Sequence, residues 1–325
     1  MWLDGYHPPE LPWQGYDFTN WVTMVRTLQP DAVVFQDGGP DVRWVGNERV
    51  IPRSEEWSPL PYTGNPATAA DTVLTVADGN SADDLGSDKV LGRRKNGTSA
   101  WNLLRWAPAE CDATLDATAD EGGGLHWFWR QGDGWRNATD LEDFYYDSVG
   151  RNCNLLLNVP PNNHGLFEQT AVQALTDFHT RLSSTFSTNL VAGAKAENDS
   201  GTTNTEGHEP DRMLDACLDT SWQPAKSTGV LKLTLPMATT FDVISIQEDL
   251  SIGQRVESFT VESWSNNAWT KVTEAGVIGA KRLVRLDTPV TTAQIRLRIT
   301  AARAEPGIAA LGLFLRPTQS SADRP

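Results

Sequence analysis

The sequence predicts two successive architectures: an α/β layer that is the C-terminal half of a (β/α)8 barrel, then an antiparallel β-sandwich. Short apolar runs alternate with helix-period segments about four times before residue 188. Beyond it the helical period gives way to residue-by-residue alternation of apolar and polar side chains. A length of 325 residues is enough for two separate cores.

From the N-terminus, Met1-Trp2-Leu3-Asp4-Gly5 reads as the end of a buried strand entering a turn, and it has neither the basic start nor the apolar stretch of a secretory leader. Phe18, Trp21, Val22, Val25 and Leu28 then share one helix face, with Asp17 placed to cap it and Pro30 to close it. Ala32-Val33-Val34-Phe35 is a continuous apolar run, as expected of a parallel strand covered on both faces. Residues 63–98, rich in Gly, Ala, Thr, Ser and Asp, predict a long surface excursion. A helix is expected over 99–105, strands over 108–111 and 126–129, and a helix over 140–148. A buried strand over 153–158 and a long helix over 166–183 follow. Four strand–helix units supply half of an eight-unit barrel, which places the first domain at residues 1–188.

In the remainder, Leu231, Leu233 and Leu235 alternate with Lys232 and Thr234, and Ile295, Leu297 and Ile299 alternate with Arg296 and Arg298. One face of each strand is buried and the other wet. With strands over 241–246 and 259–262, residues 189–317 form the sandwich and 318–325 a polar tail.

Composition narrows the partners. Lys and Arg number 27 against 42 Asp and Glu, a net charge of −15, which excludes long-range attraction to nucleic acid. No apolar run approaches the roughly 18 residues that a membrane span needs. Cys111, Cys153 and Cys217 lie far apart with no C-x-x-C pair, which predicts neither a zinc site nor a disulfide framework. The 13 Trp outnumber the 10 Phe and 5 Tyr; indoles suit the mixed faces of sugar rings, and they also fill cores.

Barrel chemistry is built where parallel strands end, so the candidate acids are carboxylates at those ends: Asp4, Asp37, Asp41 and Glu48. Two carboxylates in different environments can divide the roles of nucleophile and proton donor in glycoside cleavage. Asp before Gly is also an ordinary turn residue, and a loop Glu an ordinary solvated charge. On pattern alone, Glu55 and Glu56 compete with Glu48. His126 and His164 read as lone structural or exposed histidines, and no metal constellation is expected around them.

Several ordered motifs carry a resemblance: Trp2-Leu3-Asp4-Gly5, Arg43-Trp44-Val45-Gly46-Asn47-Glu48, Pro108-Ala109-Glu110-Cys111-Asp112 and Gly150-Arg151-Asn152-Cys153-Asn154-Leu155-Leu156-Leu157-Asn158. Together they resemble the α-L-fucosidases of glycoside hydrolase family 29, and the second motif resembles the subgroup preferring α-1,3- or α-1,4-linked fucose. The resemblance implies a retaining exo-glycosidase acting on fucosylated glycans by double displacement. Asp4 falls on the nucleophile and Glu48 on the acid/base, while Trp2 and Trp127 fall on aromatic residues that wall the fucose. No catalytic cofactor is implied. The family's first barrel strands would precede Met1, so an N-terminally truncated barrel is expected, impaired on its own and in need of a complementing N-terminal chain or a homo-oligomer. Extracellular or periplasmic residence is implied as well.

Asn189-Leu190-Val191-Ala192-Gly193-Ala194, Leu214-Asp215-Ala216-Cys217-Leu218-Asp219-Thr220-Ser221-Trp222 and Ile308-Ala309-Ala310-Leu311-Gly312 resemble the discoidin, or coagulation factor type C, module, a jelly-roll that often binds carbohydrate. That likeness implies a structural calcium with Asp215 and Asp219 as contributors, although Ala310 stands where a ligand Glu is often found. A capped turn is the alternative for the two aspartates, and a core position is preferred for Trp222. Trp264, Trp269 and His208 are further candidates for sugar contact. A non-catalytic carbohydrate-binding protein with a barrel remnant is the rival reading.

Overall fold

The computed structural model describes residues 1–3, 15–36, 40–48, 50, 52–61, 86, 104–118 and 126–317. Its first part contains α1 (Phe18–Leu28), β1 (Arg43–Trp44), β2 (Pro59–Pro61), β3 (Leu104–Trp106), β4 (Ala109–Thr114), α2 (Ala138–Asp147), β5 (Cys153–Asn158) and α3 (Gln169–Phe186). Strands β1, β4 and β5 are parallel neighbours in that order. Parallel bridges from Val42 to Phe35 and from Phe35 to Trp2 extend the row toward the N-terminus.

Local chemistry explains the helices. Asp17 accepts the Asn20 N–H at the start of α1, and Asn137 with Asp140 forms a reciprocal capping box at the start of α2. Helix α3 begins later than the apolar period suggests because Leu166 is tied into the preceding turn: Asn162 and Leu166 exchange backbone and side-chain hydrogen bonds around Gly165, whose φ is +73°.

Four sequence expectations need correction. The 32–35 run reduces to a bridge at Phe35; Val34 and Phe35 are buried, but Val33 is 59% exposed, so the run is covered only toward its end. Leu104 and Arg105, expected in a helix, lie in β3, where pairing with β2 and burial of Arg105 override local helix preference; residues 99–103 lie outside the described residues. Residues 126–129 form no strand; their loop is held from the side, with Asn158 Nδ2 donating to the Trp127 carbonyl at 2.9 Å. Cys111 and Cys153 are joined in a disulfide with a Cα–Cα distance of 6.1 Å. Ala109 pairs with Cys153 across β4 and β5, so Cys111 sits diagonally opposite on the same face. Sequence spacing could not show that adjacency. The excursion expected over 63–98 lies outside the described residues apart from Gly86, and so does the tail 318–325.

The second part contains β6 (Lys195–Asp199), a 3-10 turn (Pro210–Leu214), β7 (Gly229–Glu248), β8 (Val256–Ser265), β9 (Ala268–Ala275), β10 (Arg282–Ala302) and β11 (Ile308–Phe314). They form a six-stranded antiparallel sheet in the order β11-β7-β10-β8-β9, with β6 also on β7. Leu231 and Leu233 from one half of β7 share a buried core with Ile244 and Ile246 from the other half, so the long strand bends around that core. The register of β7 with β10 breaks between Arg285 and Val290 and again between Thr292 and Gln294, which lets both strands turn together. The expected alternation holds: Ile295, Leu297 and Ile299 are buried, while Arg296 and Arg298 are half-buried. Trp222 is fully buried, in keeping with its core reading, and its indole N–H donates to Asn198 Oδ1 at 2.9 Å.

The two parts meet through Asn152, which precedes the disulfide cysteine of β5 and takes φ +63°. Its Nδ2 donates to the Glu56 carbonyl at 2.8 Å, and its Oδ1 accepts the Ala280 N–H at 2.7 Å. Gly279 lies so close that a Cβ there would stand 2.3 Å from the Asn152 side chain. Gln254 adds to the junction by accepting the Ser58 N–H and donating to the Glu56 carbonyl.

Candidate active site

Strand β4 alternates small apolar and acidic residues. Ala109, Cys111 and Ala113 face the core shared with Cys153 and Phe144, so Glu110, Asp112 and Thr114 point to the opposite face. That face is polar yet buried: Glu110 is 5% and Asp112 6% exposed. Each carboxylate receives an indole N–H, Trp2 Nε1 donating to Glu110 at 3.0 Å and Trp44 Nε1 to Asp112 at 2.8 Å. Trp2 also stacks on Phe35 with ring centroids 4.7 Å apart. Burial pushes the Glu110 carboxyl above its usual range; the Trp2 hydrogen bond opposes this and the nearby Asp112 charge adds to it. Glu110, Asp112 and Trp44 were not singled out from the sequence, although the acidic insertions in an otherwise apolar alternation mark them.

Glu48 lies just past the carboxyl end of β1. The chain turns there at Gly46, whose φ of +97° favours glycine. Glu48 is exposed, and the Trp127 indole N–H donates to its Oε2 at 3.3 Å, which brings together two of the expected site residues 79 positions apart. The competing acids are differently placed. Glu56 is fully buried and ion-paired with Arg43, and its Oε2 accepts from Arg53. Glu55 accepts the Ser54 hydroxyl. Asp41 is committed to Arg26 and to the Val34 N–H. Trp2 is the parallel bridge partner of Phe35, whereas Asp4 and Asp37 lie outside the described residues.

Next to Trp127, the expectation of an isolated His126 is corrected. His126 Nδ1 faces Asp116 Oδ2 and Asp133 Oδ1, each at 3.7 Å, because the turns after β4 and before α2 converge there. His164 stands in the turn before α3, where its N–H is bound by Asn162.

In the antiparallel part, oxygens from four residues gather on the turn that follows the 3-10 segment. Thr220 Oγ1 lies 2.7 and 2.9 Å from the two Asp215 carboxylate oxygens, 3.2 Å from the Cys217 carbonyl and 3.3 Å from that of Arg212. The Cys217 N–H, with the Thr220 hydroxyl, holds the Asp215 carboxyl below its usual range. Asp219 is exposed on the same turn. Trp264 and Trp269 meet edge to face at 5.2 Å with Arg296 over Trp269, and His208 is held by Ser221.

Residues 194–311 match the F5/8 type C domain family. The chain is 33% identical over 321 residues to alpha-L-fucosidase 1 of Arabidopsis thaliana, covering 97% of this chain and 58% of that protein. Among solved structures, a Ruminococcus gnavus GH29 fucosidase in complex with fucose is 28% identical with a TM-score of 0.74, covering 98% of this chain and 60% of that one. A structure named SpGH29 is 26% identical with a TM-score of 0.77, covering 97% of this chain and 63% of that one. The chain thus spans less than two thirds of each of these three proteins. Over nearly all of its own length the chain is similar to these α-L-fucosidases, and residues 194–311 match the F5/8 type C domain family.

Proposed function

We propose that the protein carrying this chain is a retaining exo-α-L-fucosidase with preference for α-1,3- and α-1,4-linked fucose in glycans. The observation that carries the reading is the Trp127–Glu48 contact, which sets an exposed carboxylate against an indole at the carboxyl ends of the parallel strands. The Glu110 and Asp112 carboxylates hold two more indoles on the same sheet.

In this mechanism Asp4 attacks the anomeric carbon while Glu48 protonates the departing oxygen. Glu48 then takes a proton from the water that releases fucose. Trp2 and Trp127 offer apolar faces to the sugar. Retention requires the two carboxyl groups to stand about 5 to 5.5 Å apart. The chain divides into a catalytic region over residues 1–188 and an accessory module over 189–317. In the module, a calcium ion suits the Asp215–Thr220 turn, because one hydroxyl proton cannot serve four surrounding acceptors and a hard cation binds such oxygens. The Cys111–Cys153 disulfide favours residence outside the cytoplasm.

The test is to incubate the full-length protein with α-1,3-, α-1,4- and α-1,2-fucosylated oligosaccharides and follow the first-formed fucose by proton NMR. The reading expects faster release from the first two, the α-anomer first, and loss of release in Asp4→Asn. A first-formed β-anomer would overturn the retaining mechanism. Glycan binding with no release would favour a non-catalytic carbohydrate-binding protein instead.

A further inference from the structure

We propose that Asp116, His126 and Asp133 form a binding site for a first-row divalent cation of the zinc or manganese class, anchoring the loop that carries Trp127. The ligand atoms of the three residues all lie within 4.8 Å of one another, with both carboxylate-to-imidazole distances at 3.7 Å. A cation equidistant from such a triangle sits roughly 2.1 to 2.4 Å from each atom, within the range of metal–oxygen and metal–nitrogen bonds. One imidazole and two carboxylates are a donor set suited to these cations.

The side chains are held for this role. Asp116 is fully buried; its Oδ1 accepts the Thr118 N–H at 2.7 Å, while its Oδ2 has no hydrogen-bond partner among the described residues and faces His126. Asp133 is arranged in the same way, with Oδ2 on the Arg130 N–H and Oδ1 turned toward His126. Each carboxylate is thus oriented by one backbone N–H and presents its other oxygen to the shared centre, as outer partners orient metal ligands. A buried oxygen without a partner is costly, and a cation relieves that cost.

Arg130 sets the competition. Its Nη1 lies 2.9 Å from His126 Nε2, and a guanidinium only donates, so Nε2 accepts and the ring proton resides on Nδ1, between the two carboxylates. Metal binding at Nδ1 moves that proton to Nε2 and turns the exposed Arg130 side chain away. Arg130 therefore opposes the cation through both the tautomer and its charge.

The test is to titrate the full-length protein with Mn²⁺ in calcium-saturated buffer, following the free-ion EPR signal and the thermal midpoint. One saturable site is expected, weakened more than about tenfold in Asp116→Asn and His126→Gln. Affinity is expected to rise several-fold in Arg130→Ala. Absence of saturable binding overturns the proposal, as does binding of unchanged affinity in Asp116→Asn and His126→Gln. Should those buried variants fail to fold, the exposed Arg130→Ala decides: tighter binding upholds the site and unchanged or weaker binding refutes it.

Discussion

The parallel and antiparallel parts solve the problem of an interior differently. The antiparallel part closes on one continuous apolar cluster, from Val191 to Leu313, drawn from both halves of its longest strands. Among the described residues, the parallel part has smaller apolar clusters around Cys111 and Leu115, sets Trp57 against Val277 of the antiparallel part, and buries Arg43, Glu56, Arg105, Glu110, Asp112, Asp116 and His126. A continuous core gives stability in proportion to area removed from water. A divided, charged interior gives up some of that stability and gains fixed polar groups where chemistry can use them. The antiparallel part buries Asp242, Glu248 and Asp249 as well, but the region that carries the candidate acid buries more charged side chains among the described residues.

Mutations can break that contrast. Phe241→Ala removes a fully buried ring from the continuous core and should cost about 3–5 kcal/mol, read as a lowered thermal midpoint. Arg43→Ala leaves the buried Glu56 carboxylate with Arg53 as its one remaining ion-pair partner among the described residues and should cost somewhat less, about 3 kcal/mol, in spite of the small apolar area lost. A negligible effect of Arg43→Ala would mean that the parallel part is not held by its charges. Asn152→Ala removes the hydrogen bonds by which its side chain joins Glu56 to Ala280, leaving those of Gln254, and should cost about 1–3 kcal/mol. It should also separate one unfolding transition into two, detectable by calorimetry.

The last expected effect, small at each pH step, is electrostatic and belongs to the antiparallel part. Burial pushes Glu248 up from 4.5 to about 7, against three backbone N–H donors from Arg255, Val256 and Gly279. A raised folded-state value means that the native chain keeps a proton the unfolded chain has released. Stability is then full below 4.5 and is lost as pH rises toward 7, by about 1 kcal/mol per pH unit. A thermal midpoint that stays constant or rises between pH 5 and 7 would contradict this.

What could be read from the sequence follows the same divide. The leucine and isoleucine alternation of β7 and β10 announces a one-sided sheet because each position is fixed by burial alone. Asp17 likewise announces α1, since a cap acts within one turn. The Cys111–Cys153 bond, the Arg43–Glu56 pair and the Asp116–His126–Asp133 group depend on which strands and turns become neighbours, and no local period encodes that. Arg105 shows the same limit: a residue at home in a helix is drawn into β3 by its pairing with Leu60. Glu48 could be chosen over Glu56 only through the motif it closes; the burial of Glu56 against Arg43 separates the two independently.

The most direct test of the proposed chemistry compares leaving groups in the full-length Glu48→Ala variant. A general acid matters most when the departing oxygen is strongly basic, so hydrolysis of a fucosylated oligosaccharide should fall by about 10²–10⁴, and cleavage of an activated nitrophenyl fucoside should suffer much less. Equal losses on both substrates, or full activity on the oligosaccharide, would show that Glu48 is not the proton donor.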